Sequence, residues 1–389
     1  MVPRAADAPG LALSRWRRAA AALAFGLACA SAQAGALRYC DAPTEMSHEQ
    51  RDRLFRFAEL VRTELAGSGQ RVALLSRAGI DLARFGERYS HAGVTLLGSA
   101  MAPWSVRQLY YACEEKKPRI FDQGLTAFLL GMSSPAGGYV SAVFLPDEAA
   151  APLERAALDD RHALALLRGE YSANAYVWAQ RYLNCNQWVA ELLGMAWGGT
   201  PAGDDARAQA QAWLRGAGYE AHAFHVPFAP MMWLVAAIPW LHHIDHPSED
   251  LAQAVYRVSM PSAIEAFVQR RWPQARRIEF CQKGTRVVVR QGWTPIAEGC
   301  TPEPGDRVLM VGHLLEYHPV VLKLREMIRA GELGRVLYVY SQRLNLGTVR
   351  QDENALWSLA PHDISSILFM LDQVPSDVSA RGQCYVQRD

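Results

Sequence analysis

Tyr182-Leu183-Asn184-Cys185-Asn186-Gln187-Trp188-Val189-Ala190-Glu191-Leu192-Leu193 is the stretch on which the reading of this chain turns. Cys185, Val189, Leu192 and Ala196 recur at helical spacing, so a helix over 184–195 buries one apolar face and points its first cysteine inward. A helix N-terminus gathers unpaired N–H groups and the positive end of the macrodipole, which favour a thiolate over a thiol. A thiolate is what a cysteine nucleophile needs. Upstream, Arg88-Tyr89-Ser90-His91-Ala92-Gly93-Val94 sets a histidine at the head of an alternating strand, the place for a partner base. Cys185 and His91 are therefore the expected catalytic pair. The bland alternative is a small core cysteine and a satisfied structural histidine.

Around this pair the pattern predicts an α+β fold. Leu54, Phe57, Leu60, Val61 and Leu65 form a helical stripe over 46–66 behind a Ser47 cap. Tyr89–Gly98 and Trp104–Ala112 read as strands about a loop at 99–103, Tyr139–Leu145 as another strand, and Leu153–Leu167 as a helix. The strands make a small antiparallel sheet with helices packed on it. A catalytic imidazole also needs a polar group to orient it. Gln108 and Glu114 are the expected residues, with Asp122 further along; a hairpin closing near residue 101 sets the partner of His91 near Tyr111.

The chain has 389 residues, half of them apolar, and a formal net charge of +1. That balance implies neither nucleic acid nor any other strongly charged partner. Arg15, Arg17 and Arg18, an apolar run from Ala19 to Ala30, and Ala32-Gln33-Ala34 have the three-part layout of a secretory signal, with cleavage expected after Ala34. The mature chain is then periplasmic or secreted, with no transmembrane segment. Export makes cysteine pairing informative. Cys281 and Cys300 flank a hairpin predicted at Arg286–Arg290 and from Gly292 onward, which suits a disulfide. Cys40 and Cys113 are a second candidate pair, leaving Cys185 free. Residues 228–241 are apolar but too short to span a bilayer and are broken by Pro230 and Pro239. They read as a buried or lid segment, or as a peripheral membrane contact. His222, His225, His242, His243, Asp245 and His246 cluster around them without metal-ligand spacing, so a solvated polar turn is expected, with no metal and no cofactor.

Asn184-Cys185-Asn186-Gln187-Trp188-Val189 following Ser90-His91-Ala92-Gly93-Val94 resembles the circularly permuted papain-like hydrolases, related to NlpC-type peptidases and lecithin retinol acyltransferases. There the histidine strand precedes the cysteine helix. The resemblance implies acylation of Cys185 by a cell-wall peptide amide, a thioester or a lipid ester in the envelope, then transfer to water or an acceptor; a noncatalytic binding protein of the envelope is the alternative. Residues 37 to about 305 also resemble a family of exported proteobacterial proteins of unknown function. Arg71–Gly79, Ala102–Tyr111 and Tyr171–Tyr176 carry that likeness. The mature domain is accordingly drawn over 35–305.

Thr301-Pro302-Glu303-Pro304-Gly305-Asp306 marks a change of sequence type. From Arg307, Val311-Gly312-His313-Leu314-Leu315-Glu316-Tyr317-His318-Pro319 and Trp357-Ser358-Leu359-Ala360-Pro361-His362-Asp363-Ile364 resemble the Gfo/Idh/MocA sugar dehydrogenases, which implies a catalytic or substrate-binding role for His362. Residues 306–389 read as an incomplete α/β fragment of that family, joined by fusion. The chain has no G-x-G-x-x-G turn to admit a dinucleotide pyrophosphate and no Glu-Lys-Pro motif, so this oxidoreductase segment is expected to be inactive.

Overall fold

A computed structural model describes residues 46, 48–132, 138–226, 232, 238, 240–310, 314–342 and 355–383. The elements run in the order α1 (His48–Gly67), β1 (Val72–Arg77), β2 (His91–Leu96), β3 (Ser105–Ala112), β4 (Lys117–Gln123), α2 (Leu125–Leu130), β5 (Tyr139–Phe144), α3 (Asp147–Leu158), α4 (Asp160–Ala165), β6 (Glu170–Tyr171), β7 (Tyr182–Leu183), α5 (Cys185–Gly198) and α6 (Ala206–Gly216). There follow β8 (His222–His225), α7 (Ser248–Ala252), β9 (Val255–Val258), α8 (Pro261–Arg271), β10 (Arg276–Lys283), β11 (Arg286–Gln291), β12 (Arg307–Met310), α9 (Pro319–Arg329) and α10 (Ala355–Leu371). The fold is α+β. Its antiparallel sheet is larger than expected, with eight strands in the order β12-β11-β10-β5-β1-β2-β3-β4.

Alternation along the strands divides the core in two. Val72, Leu74, Ala92, Val94, Leu96, Leu109 and Val143 pack with Leu153, Trp188, Val189, Leu192, Leu193 and Phe267 of α3, α5 and α8. On the other face, Ala73, Leu75, Val106, Val140, Ala142, Phe144 and Phe280 pack with Phe57, Val61 and Leu65 of α1 and with Leu125, Phe128 and Leu129 of α2. Both faces are covered, so β1 and β2 are buried along their full lengths.

α5 starts where the Asn184 side chain accepts the Gln187 N–H at 2.7 Å, and it stops at Gly199, whose φ of 65° lets the chain turn away. Gly194 brings α5 against α6: a Cβ there would lie 2.8 Å from the Ala210 carbonyl oxygen. Between these helices Glu191 and Arg207 form a buried ion pair at 2.6 Å, and Arg207 also donates to the Ala179 and Gln180 carbonyls at 2.9 and 3.0 Å. Gln211 and Gln187 donate to the same carboxylate at 2.7 and 3.1 Å. These bonds tie the loop before the cysteine helix to both helices.

Two boundaries differ from expectation. The helix predicted over 153–167 is two helices, α3 and α4, interrupted at Asp159, whose side chain accepts the Arg161 N–H to start the second. The hairpin near 286 pairs backward with Arg276–Lys283 through a turn at Gly284, which has positive φ, and does not pair forward from Gly292. The Cys281–Cys300 disulfide forms from one arm of it. Cys113 is also disulfide-bonded, while Cys40 lies outside the described residues.

The break expected at 305 does not separate two sheets. Arg307–Met310, read as the first strand of a second unit, pairs with β11 as the edge of the main sheet. Arg307 reaches Glu64 of α1 at 2.6 Å, and Arg290 holds Asp306 at 2.7 Å. Beyond β12, α9 and α10 meet each other, but among the described residues no hydrophobic side chain after Cys300 is buried. Much of the 228–241 segment, Cys384 and residues 1–45, where a secretory signal is expected, lie outside the described residues. Among those described, no helix is long and apolar enough to cross a membrane.

Candidate functional site

Cys185 occupies the first turn of α5 and is 7% exposed. The next residue ties this helix to the histidine strand. Asn186 Oδ1 accepts the Ala92 N–H at 3.0 Å and its Nδ2 donates to the Ser90 carbonyl at 3.1 Å. The amide thus bonds to the backbone on both sides of His91, just before the β2–β3 ladder begins at Val94 and Arg107. The helix start and the strand head come together.

The side chains do not. His91 lies opposite Arg77 in the β1–β2 ladder, Gly93 opposite Leu75 and Thr95 opposite Ala73, and directly opposed residues share a face of the sheet. Leu75 and Ala73 belong to the α1/α2 core. The imidazole lies 5.7 Å from the Phe128 ring of α2 and 5.9 Å from Tyr110, between centroids. Cys185 belongs to the opposite core with Ala92 and Val94. The sheet therefore stands between the two groups, and among the described residues no hydrogen bond joins the Cys185 sulfur to the His91 ring.

Gln108 contacts the imidazole: its Oε1 meets His91 Nε2, while its Nε2 donates to Gln123 Oε1 at 2.5 Å. Because the Gln108 oxygen faces the ring, Nε2 carries the imidazole proton. Glu114 is not brought in; it is exposed on the turn joining β3 to β4. Asp122 is held by Arg107 at 2.6 Å.

Electrostatics keep both groups neutral. Burial pushes the Cys185 thiol up to about 11, against the opposing pull of the Arg77 charge, the Asn186 N–H and the Tyr171 hydroxyl. Burial, helped by Arg77, pushes His91 down to about 3, with the Gln108 hydrogen bond pulling the other way. At neutral pH the site holds a protonated thiol and a neutral imidazole. Arg77, stacked 5.2 Å from the Phe128 ring, and Asn186 are two residues beside the pair that lie outside the expected site. Asn186 had a signal in the Asn-Cys-Asn triplet; Arg77 had none.

The histidine-rich run is built into the body and is not a solvated turn. His246 is buried and its Nε2 donates to the Asn174 carbonyl at 2.8 Å, Asp245 accepts the Tyr176 N–H at 3.2 Å, and His242 stacks on Tyr182 at 4.5 Å. These contacts hold the 172–178 loop. Among the described residues no group of three or more His, Cys, Asp or Glu side chains is arranged to hold a metal. His362, in α10, is partly buried, and its carbonyl accepts the Ser366 hydroxyl at 2.8 Å.

No curated protein and no solved structure matches the chain. A family model described as an uncharacterized protein conserved in bacteria (DUF2145) matches residues 64–268, which spans β1 to α8 and includes both His91 and Cys185. The match covers more than half of the sequence, and the chain belongs to this bacterial family of uncharacterized proteins.

Proposed function

We propose that this chain is a noncatalytic protein of the cell envelope that binds a peptide or lipid-like ligand. The observation that carries the reading is the separation of Cys185 and His91 by the sheet, with each group held in its uncharged form. A Cys/His mechanism requires the base within hydrogen-bond reach of sulfur. The Cys281–Cys300 bridge and the oxidised Cys113 support an oxidising compartment, consistent with the leader-like N-terminus.

The test measures thiol labelling of the native protein by a small maleimide at neutral pH, beside the Cys185→Ala variant. A binding protein labels at Cys185 far more slowly than the same protein in denaturant. Both forms sediment equally with isolated peptidoglycan, or float equally with anionic phospholipid vesicles. Rapid native labelling, together with loss of turnover of a thioester or amide substrate in Cys185→Ala, overturns the proposal.

One observation favours a second reading, a cysteine hydrolase or acyltransferase. The sulfur sits at the helix N-terminus facing the Asn186 N–H and the Tyr171 hydroxyl, groups that stabilise a thiolate. That enzyme would draw its base from a group other than His91. The dehydrogenase-like tail adds no reading of its own, because the glycine turn a dinucleotide needs is missing from the sequence.

A further inference from the structure

Glu87 and His222 form an ion pair remote from the cysteine in sequence, and three parts of the fold meet at it. Glu87 stands in the loop between β1 and β2, and its side chain is 1% exposed. His222 opens β8; its Nδ1 lies 2.6 Å from Glu87 Oε1, and its side chain is 25% exposed. Ser262, in the first turn of α8, donates to the same oxygen at 2.5 Å. The second carboxylate oxygen, Glu87 Oε2, is buried without a partner.

A buried carboxylate needs a charged donor, because a lone hydroxyl does not offset the loss of hydration. Among the described residues, His222 is the side chain at this junction that can supply the charge and withdraw it near neutral pH. The other groups around the pair do not take its place. Tyr219 is engaged with Ser259 Oγ at 3.1 Å, Arg257 is paired with Asp250 at 3.0 Å, and Arg84 is stacked over the Phe85 ring at 4.6 Å. The imidazole also meets the Phe85 carbonyl. Phe85 in turn packs edge-on against Phe224 of β8, with centroids 5.4 Å apart.

We propose that Glu87 and His222 form a pH-dependent latch: with His222 protonated it fastens the β8–β9 strand pair and the start of α8 to the loop leading into the His91 strand, and with His222 neutral it releases them. When the imidazolium gives its proton to solvent, the Glu87 carboxyl group loses its charged partner, and its orphaned oxygen is hydrated only if the loop moves off α8. The Glu87 pairing raises the His222 pKa above its ordinary value, so the latch is closed in mild acid and opens as pH rises through that raised value. The inference does not depend on what the protein binds or on whether Cys185 reacts.

The experiment uses the full chain. His222 is titrated by NMR of the histidine ring carbons, its signal assigned by its absence in His222→Gln. Amide exchange over 82–88, 222–225 and 255–258 is followed across the same pH range, corrected for intrinsic exchange. The latch predicts that His222 titrates above its ordinary value, and that protection of the three segments falls about tenfold as it does so. In Glu87→Gln the titration returns to the ordinary value and the pH dependence of exchange disappears. A wild-type His222 that titrates at or below 6.5, or the same pH profile of protection in Glu87→Gln, overturns the proposal. If His222→Gln does not fold, the wild-type and Glu87→Gln titrations decide the matter by themselves.

Discussion

Asn186→Ala tests how the helix start is held against the histidine strand. The substitution removes the acceptor of the Ala92 N–H and the donor to the Ser90 carbonyl. Ala92 is 2% exposed, so its N–H loses its partner away from water and costs about 2 kcal/mol; the Ser90 carbonyl lies at a half-buried residue and costs about 1 kcal/mol. The expected total is about 3 kcal/mol, a large share of the roughly 5–15 kcal/mol that stabilises a folded domain. Urea unfolding followed by tryptophan fluorescence should show a lower midpoint at unchanged slope, since the folded core is otherwise the same. Native labelling of Cys185 should also accelerate, because the clasp that shields it is gone. A loss below about 1 kcal/mol, with Cys185 labelling as in the parent, would show that neither backbone group depends on Asn186 and that the packing of α5 on β2 rests on hydrophobic contact alone.

Three more outcomes are expected. His91 is held near 3 when folded but titrates near 6.5 when unfolded, so the unfolded state binds more protons below 6.5 and stability falls with acid; at about pH 5 the loss is about 2 kcal/mol, and it is absent in His91→Gln when unfolding is measured at both ends of this range. Arg207→Met leaves the Glu191 carboxylate buried without a cation and costs about 3–5 kcal/mol, while adding Glu191→Leu recovers most of it; equal losses in the single and double variants would contradict the ion-pair account. Replacing Cys281 and Cys300 together by serine removes a loop closure over a sequence separation of 19 residues and lowers stability by about 3 kcal/mol, which urea denaturation of both proteins without reductant would register as a lower midpoint for the variant; equal midpoints would contradict it.

Much of this architecture could be read from periodicity. The stripe Leu54, Phe57, Val61 and Leu65 is buried in α1, and Val189 and Leu192 face the core from α5 as their spacing requires. Gln108 reaches His91 because strands joined by a short loop must pair antiparallel, which brings a residue of β3 beside the head of β2. The facing of His91 could not be read in the same way. His91–Leu96 is buried at every position, so it offers no polar and apolar alternation to tell which side of the strand meets the cysteine helix. Only the ladder with β1, which sets His91 opposite Arg77 and Gly93 opposite Leu75, settles it. The partners of Glu191 were equally hidden. Arg207 lies beyond the end of α5, and its contacts depend on Gly194 letting two helices approach, a relation between helices with no local pattern.

The added strands beyond residue 268 give the family boundary a practical meaning. β10, β11 and β12 lie after the matched span but complete its sheet, and Arg277 of β10 supplies the cation for Glu265 of α8 at 2.9 Å. A fragment cut at 268 would leave β5 as a raw edge, with the backbone groups that now bond β10 turned outward, and would strand a buried carboxylate inside α8. Such an edge recruits strands from other molecules. The span matched by the family model is therefore shorter than the sheet it belongs to, and fragments ending at 268 should aggregate more than those that extend through Met310.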